Sequence, residues 1–410
     1  MARLHSARAA LGILSGLNLL NYIDRYLASG MLPLIAADLK LTDADSGLLF
    51  SAFIVTYVLV SPLAGWLGDR RARFPLAAVG VLIWSAATFG SGLAPTLAVF
   101  LVVRALVGVG EASYSVVTPS LLSDFYPAEQ RGRVLAFFYA AIPLGSALGF
   151  GLGGLLGQHV GWRPAFFFAG GPGAILAVAL LFLRDPPRGG FDRSRDGPDL
   201  KLTIPGALKE LWSRRSFVYT TVAQTIYTFT MGGLAVWMPT YFVRERHLAL
   251  DTAGLMFGGV LCCAGFAGTL IGGKLGDKLA ARSSSAHFQL SAWALIASLP
   301  FTALAILSRQ PAIFWPAMGI TLFLLFLNTG PLYAVISNVL PATLRGQGFA
   351  INTVSIHLLG DVISPPLIGS LSDRVGLKWP VFGAGALLVV AGLVLLAGRP
   401  ALERDLARVG

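Results

Sequence analysis

GWLGDRRAR at residues 65–73 returns in weaker form as GGKLGDKLAAR at 272–282, and this echo decides the fold. Gly68-Asp69 recurs as Gly276-Asp277, 208 residues on, and PAEQRGR at 127–133 recurs as PATLRGQG at 341–348, 214 residues on. Two ordered matches at similar offsets favour a duplicated unit over coincidence. Each motif has a physical rationale. Glycine allows a tight turn and close helix approach, the aspartate can meet a neighbouring helix N-terminus, and arginines can clamp it. Gly68, Asp69, Arg70, Arg73 and Asp277 are therefore candidates for a conformational clamp. The alternative is plain topogenic charge in a short loop.

Around these loops the chain is strongly apolar. It has 410 residues, 55% of them hydrophobic and only 12% charged, with mean hydropathy +0.72. Soluble domains carry about 25% charged residues, so most of this surface must face lipid. Apolar runs of about 20 residues, enough to span a bilayer, centre near residues 23, 57, 84, 107, 144, 173, 229, 263, 297, 325, 358 and 388. The reading is an all-α membrane protein of twelve transmembrane helices in two pseudo-symmetric six-helix bundles, with Pro239 and Pro331 interrupting the seventh and tenth spans. A β-barrel would show short alternating segments instead. The domains predicted are an N-terminal bundle over 1–183, a polar linker over 184–215 and a C-terminal bundle over 216–410. Within the linker, IPGALKELW at 204–212 can form a short amphipathic helix on the membrane surface.

The net charge of +11 raises nucleic-acid binding, but the location of the charge argues against it. Two of the 31 Lys and Arg residues, Arg25 and Arg104, fall inside spans. Seven lie on one side (Lys40, Arg163, Arg244, Arg246, Arg309, Arg374 and Lys378), and all the others share the side of the two termini. This is the positive-inside asymmetry. It predicts cytoplasmic termini in a bacterial inner membrane, with anionic lipid headgroups rather than nucleic acid meeting the basic loops. The start, MARLHSARAALGILSGLNLL, lacks a clear cleavage site and reads as an uncleaved first span. Cys262 and Cys263 are helix neighbours with separated side chains, and imply neither a metal site nor a structural disulfide.

Against this apolar background stand Asp24-Arg25 in LLNYIDRYLASGMLP (19–33) and Arg104 with Glu111 in LVVRALVGVGEASYS (101–115). A charge at bilayer depth costs about 3 kcal/mol on insertion scales, and persists where it faces another charge or a wet cavity. At 1.5 Å per residue, Asp24 and Arg25 lie about 17 Å from the outer end of the first span, and Arg104 roughly 14 Å into the fourth. Those depths allow contact. Glu111 is two turns below Arg104 on nearly the same face, and Gly108 and Gly110 allow close helix approach. Desolvation and a neighbouring guanidinium act oppositely on a carboxyl group's proton affinity, so Asp24 and Glu111 are the candidate proton carriers. Arg25 and Arg104 offer forked donors for a phosphate or carboxylate headgroup. The bland alternative is that Asp24–Arg104 and Arg25–Glu111 pairs merely tie two helices together. Neighbours in a helix point about 100° apart, so at most one of Asp24 and Arg25 faces the fourth span directly.

The second half offers weaker candidates for lining a cavity. His357 and Asp361 share one face of the eleventh span, while Tyr227, Thr228, Asn328, Tyr333 and Asn338 lie on the seventh and tenth. Each has the alternative role of packing or hydrogen bonding between helices. In the fifth span, Gly145, Gly149 and Gly153 at four-residue spacing make a flat ridge for close helix contact.

These motifs resemble known ones. GWLGDRRAR looks like the hallmark loop of the major facilitator superfamily, and LVVRALVGVGEAS resembles its fourth-helix arginine motif at Arg104, Gly108, Gly110 and Ala112, with Val107 where a polar residue is usual. NYIDRYLASGMLP, GVGEASYSVVTPSLLSDFYPAEQRGR and FFYAAIPLGSALGFGLGG together resemble the Spinster family of lysolipid and sphingolipid transporters. That likeness is concentrated before Arg215. It implies that Asp24, Arg25, Arg104 and Glu111 form the coupling and headgroup site. A partial likeness to an antiporter signature around Pro143 leaves symport and antiport both open.

The expectation is a proton-coupled secondary active transporter working by alternating access. Its substrate, by resemblance, is an amphipathic anionic or zwitterionic lipid such as a lysophospholipid or sphingosine-phosphate-like molecule. A proton-coupled small organic anion carrier or multidrug exporter is the alternative, and a non-transporting receptor is a third class. No GxxxxGK[ST] is present for an ATP-driven pump, and no HExxH, GxSxG or Cys/His array for a membrane enzyme. The predicted partners are the substrate, protons and membrane lipids, with no cofactor or metal. One chain contains both halves, so a monomer suffices.

Overall fold

The computed structural model describes residues 2–188, 204–341 and 344–408, and these are almost entirely helical. The long helical segments in the first half are α1 (Ala2–Leu39), α2 (Asp43–Arg70), α3 (Arg73–Ser91), α4 (Leu97–Phe125), α5 (Gln130–Val160) and α6 (Trp162–Leu181). Those in the second half are α7 (Arg215–Arg246), α8 (Leu250–Ala280), α9 (Ala286–Leu307), α10 (Pro311–Val339), α11 (Arg345–Val375) and α12 (Lys378–Ala407). Ten of these, all but α1 and α7, are long and apolar enough to cross a membrane. α1 and α7 have sufficient length at 38 and 32 residues, but polar groups dilute them, among them Asn18, Asn21, Asp24 and Arg25 in α1. The short helix Ile204–Ser213 forms where the amphipathic stretch was expected, with Leu211 buried and Trp212 exposed. Linker residues 189–203 lie outside the described residues.

Local chemistry sets the boundaries. Thr42 and Asp45 form a reciprocal capping box at the start of α2, where Asp45 N–H donates to Thr42 Oγ1 at 3.1 Å and Thr42 N–H to Asp45 Oδ2 at 3.2 Å. Gly161, with φ +88, turns α5 into α6, and Gly376, with φ +79, turns α11 into α12. Only glycine adopts that backbone comfortably, so this pair is a further sign of duplication. The two prolines behave differently. α7 runs unbroken through Pro239, whereas α10 breaks at Asn328, three residues before Pro331. A proline inside a membrane helix removes one N–H, and its neighbours can absorb the loss.

Packing divides the chain into two compact units, Met1–Asp196 with Val236–Gly258, and Gly197–Ala235 with Gly259–Gly410. In the first unit α3 packs on α4 and α6; in the second α9 packs on α10 and α12. The same internal pairing thus occurs in both halves. The glycine ridge of α5 lies on α1: a Cβ at Gly145 would stand 2.7 Å from Tyr22 Cβ, at Gly149 2.7 Å from Ile23 O, and at Gly153 2.5 Å from Leu27 O. Gly154 and Gly254 serve the contact between α5 and the start of α8, where a Cβ on Gly154 would meet Leu250 O at 2.5 Å. Phe150 and Phe257 stack edge-on there, centroids 5.0 Å apart. Such small-residue seams replace the hydrophobic drive that lipid cannot supply.

Candidate functional site

The site in the first unit is built by α1, α2, α3 and α4. Gly108 lets α2 against α4, since a Cβ there would collide with Thr56 Oγ1, and Thr56 donates across to Ala105 O at 2.8 Å. Gly110 does the same for α3, where a Cβ would stand 2.5 Å from Trp84 N. The four helices therefore close around the charged residues, and Asp24, Arg104 and Glu111 are 2%, 1% and 0% exposed.

Arg25 Nη2 donates to Glu111 Oε2 at 2.6 Å. Its guanidinium carbon lies 4.9 Å from the Tyr22 ring centroid, 4.8 Å from Phe53 and 5.5 Å from Tyr57. An aromatic cradle thus holds the cation on the faces that attract it. Asp24 turns away from α4. Trp84 Nε1 donates to its Oδ2 at 2.5 Å and the Thr88 hydroxyl reaches the same oxygen at 3.4 Å, while Oδ1 is buried without a hydrogen-bond partner among the described residues. Arg104 stands within electrostatic reach of both acids and 5.5 Å from the Phe53 ring centroid. Its three guanidinium nitrogens are buried and make no hydrogen bond to any described residue. A buried cation so placed can take an oxyanion by its fork.

The hallmark loop is held within the first unit. Gly68 is buried, and a Cβ there would stand 2.5 Å from Val117 Cγ1. Arg73 Nη1 pairs with Asp124 at 2.5 Å, while the backbone N–H groups of Arg73 and Phe74 donate to Asp185 at 2.5 and 2.9 Å. Arg188 donates to Gly68 O at 2.7 Å and Arg71 O at 2.8 Å. Asp69 and Arg70 are exposed, Arg70 resting over the Trp66 ring at 4.4 Å. In the second copy Asp277 is exposed and Gly276 is buried, a Cβ there standing 3.0 Å from Pro331.

Within the second unit, His357 Nδ1 and Asp361 Oδ2 are 2.7 Å apart across a π-helical turn, His357–Asp361. A Cβ on Gly232 would stand 2.9 Å from Asp361 Oδ1, and one on Gly360 would stand 3.2 Å from Thr228 Cβ. The structure therefore gathers His357, Asp361 and Thr228, with Tyr227 beside it in sequence, at one seam between α7 and α11. Asn328 is buried and donates to Leu325 O of its own helix. Tyr333 and Asn338 are exposed, and Tyr333 packs on Phe349 at 5.9 Å.

The Major Facilitator Superfamily pattern matches residues 14–365. Protein spinster homolog 1 of Bos taurus is 37% identical over 398 residues, covering 92% of this chain and 75% of that one. The chain belongs to the major facilitator superfamily, in its Spinster family. Sphingosine-1-phosphate transporter SPNS2 of Xenopus tropicalis is 32% identical over 414 residues, 95% of this chain and 80% of that one. Among solved structures, a bacterial homolog of the human lysosomal transporter Spinster, inward-facing and unoccupied, superposes with TM-score 0.90 over 98% of both chains at 22% identity. This Spinster protein is accordingly an integral membrane transporter, not an enzyme.

Trp84 and Thr88 are the members of the candidate site that the sequence reading passed over. They carry no charge and sit in an apolar helix. Their signal was two polar handles one turn apart, in WSAAT. Asp124, Asp185 and Arg188 were missed for another reason: Arg188 entered only the count of basic residues that sets sidedness, and the two aspartates beside the loops carried no signal of their own.

Proposed function

We propose that the chain is a proton-coupled transporter of an amphipathic anionic or zwitterionic lipid, of the lysophospholipid or sphingosine-phosphate class, working by alternating access. The observation that carries this reading is Arg104, a buried guanidinium without a hydrogen-bond partner among the described residues, beside the Arg25–Glu111 pair. A cation in that position is costly unless something compensates it, and a headgroup phosphate or carboxylate does so. The rings of Tyr22, Phe53 and Tyr57 give the adjoining acyl chain apolar surface. Glu111, on the Arg25 guanidinium, and Asp24, beside the Trp84 indole, carry the protons. Gly68, Asp69, Arg70, Arg73 and Asp277 serve as the cytoplasmic clamp between conformations, and both termini lie on that side. The chain acts as a monomer, its basic loops meeting anionic lipid.

Uptake of labelled lysophosphatidylcholine and of labelled succinate into liposomes under an imposed pH gradient tests the reading. Lysolipid movement driven by the gradient, and its loss in Arg104→Ala, is expected. Movement of succinate without lysolipid would replace the reading with that of a small-anion carrier.

A further inference from the structure

Asp24 and Arg104 are oppositely charged, buried and within electrostatic reach, yet they form no ion pair. Asp24 is engaged from α3 instead: the Trp84 indole and the Thr88 hydroxyl both reach its Oδ2. Trp84 is itself fully buried, seated beside Gly110 on α4 and 6.0 Å from the Tyr114 ring. An indole N–H is a donor only, so it competes for the carboxylate without offering Arg104 anything. We propose that Trp84, assisted by Thr88, is a positioning residue that holds Asp24 off Arg104, keeping the Arg104 guanidinium open for the ligand's oxyanion. This rests on the reading above that Arg104 binds the headgroup.

The consequence is a competition. Without the indole donor, Asp24 turns to Arg104 as an internal anion, and an external one must displace it. A charge-assisted pair of this kind is worth about tenfold or more in binding. Trp84→Phe keeps an aromatic ring but removes the donor with the pyrrole half of the buried indole, and the double variant separates the lost donor from the lost volume. The measurement is equilibrium binding of hexadecyl phosphate to the purified full chain in detergent, comparing wild type, Arg104→Ala, Trp84→Phe, Asp24→Asn and the Trp84→Phe/Asp24→Asn double variant. Expected are a loss of about tenfold in Trp84→Phe and recovery in the double variant to within about twofold of Asp24→Asn, because an amide cannot pair with Arg104 as a carboxylate does.

Each other outcome is decisive. Wild-type affinity in Trp84→Phe, alongside a weak Arg104→Ala, overturns the inference and leaves the headgroup reading standing. A weak Trp84→Phe that Asp24→Asn does not rescue marks Trp84 as merely structural and overturns it as well. Undiminished binding in Arg104→Ala, or no binding by the wild type, overturns the headgroup reading itself.

Discussion

At position 25 a guanidinium rests on three aromatic rings and one carboxylate, so Glu111 is the partner whose loss is most specific. Glu111→Gln retains shape and a hydrogen bond but carries no exchangeable charge. It is expected to abolish gradient-driven accumulation while counterflow exchange survives, measured in the same liposomes. Arg73 has a different job, joining Asp124 to the loop that Asp185 caps. Breaking a buried pair by removing one partner costs about 3–5 kcal/mol, so Arg73→Ala should lower the thermal midpoint clearly in a detergent melt; an unchanged midpoint would show the loop does not hold this unit. Depth alone brought Arg104 level with Asp24 and Arg25 and left Glu111 two turns below; of the two helix-tying pairs the sequence offered, the structure forms Arg25–Glu111 and not Asp24–Arg104. The Asp24 contacts were not legible. Neighbours point about 100° apart, so at most one of Asp24 and Arg25 could face α4, but nothing charged marked Trp84 and Thr88 on α3 as the destination of Asp24.

Helix seams follow the glycines. Gly149 touches the α1 backbone, so Gly149→Leu must push α1 from α5, a strain of about 1–3 kcal/mol or more. Gly171 in α6 has no atom within 4 Å of a Cβ placed there, and Gly171→Ala should be neutral or stabilising by about 0.5–1 kcal/mol. Melting both variants side by side checks the assignment; equal effects would contradict it. The ridge of Gly145, Gly149 and Gly153 was readable from its spacing, because a face four residues apart is a helix property. The break at Asn328 and the π turn at His357–Asp361 were not readable. Proline marked the neighbourhood of one, but tertiary packing decides whether a proline breaks a helix, as uninterrupted α7 shows at Pro239.

For the molecule as a whole, the duplicated loops disclosed two like halves, and the internal pairing of helices repeats in each. The charge asymmetry predicts the sidedness: with Cys262 and Cys263 replaced by serine, a cysteine at exposed Lys209 should react with a membrane-impermeant maleimide in inside-out vesicles and not in right-side-out ones. The reverse pattern would invert the topology. The central claim is that Asp24 and Glu111 couple protons to a solute held at Arg104. It is tested most directly by following internal pH in liposomes containing only this protein as lysophosphatidylcholine is added outside. The account predicts substrate-dependent proton flux with wild type, and none with Asp24→Asn or Glu111→Gln. Undiminished flux in both variants would contradict it.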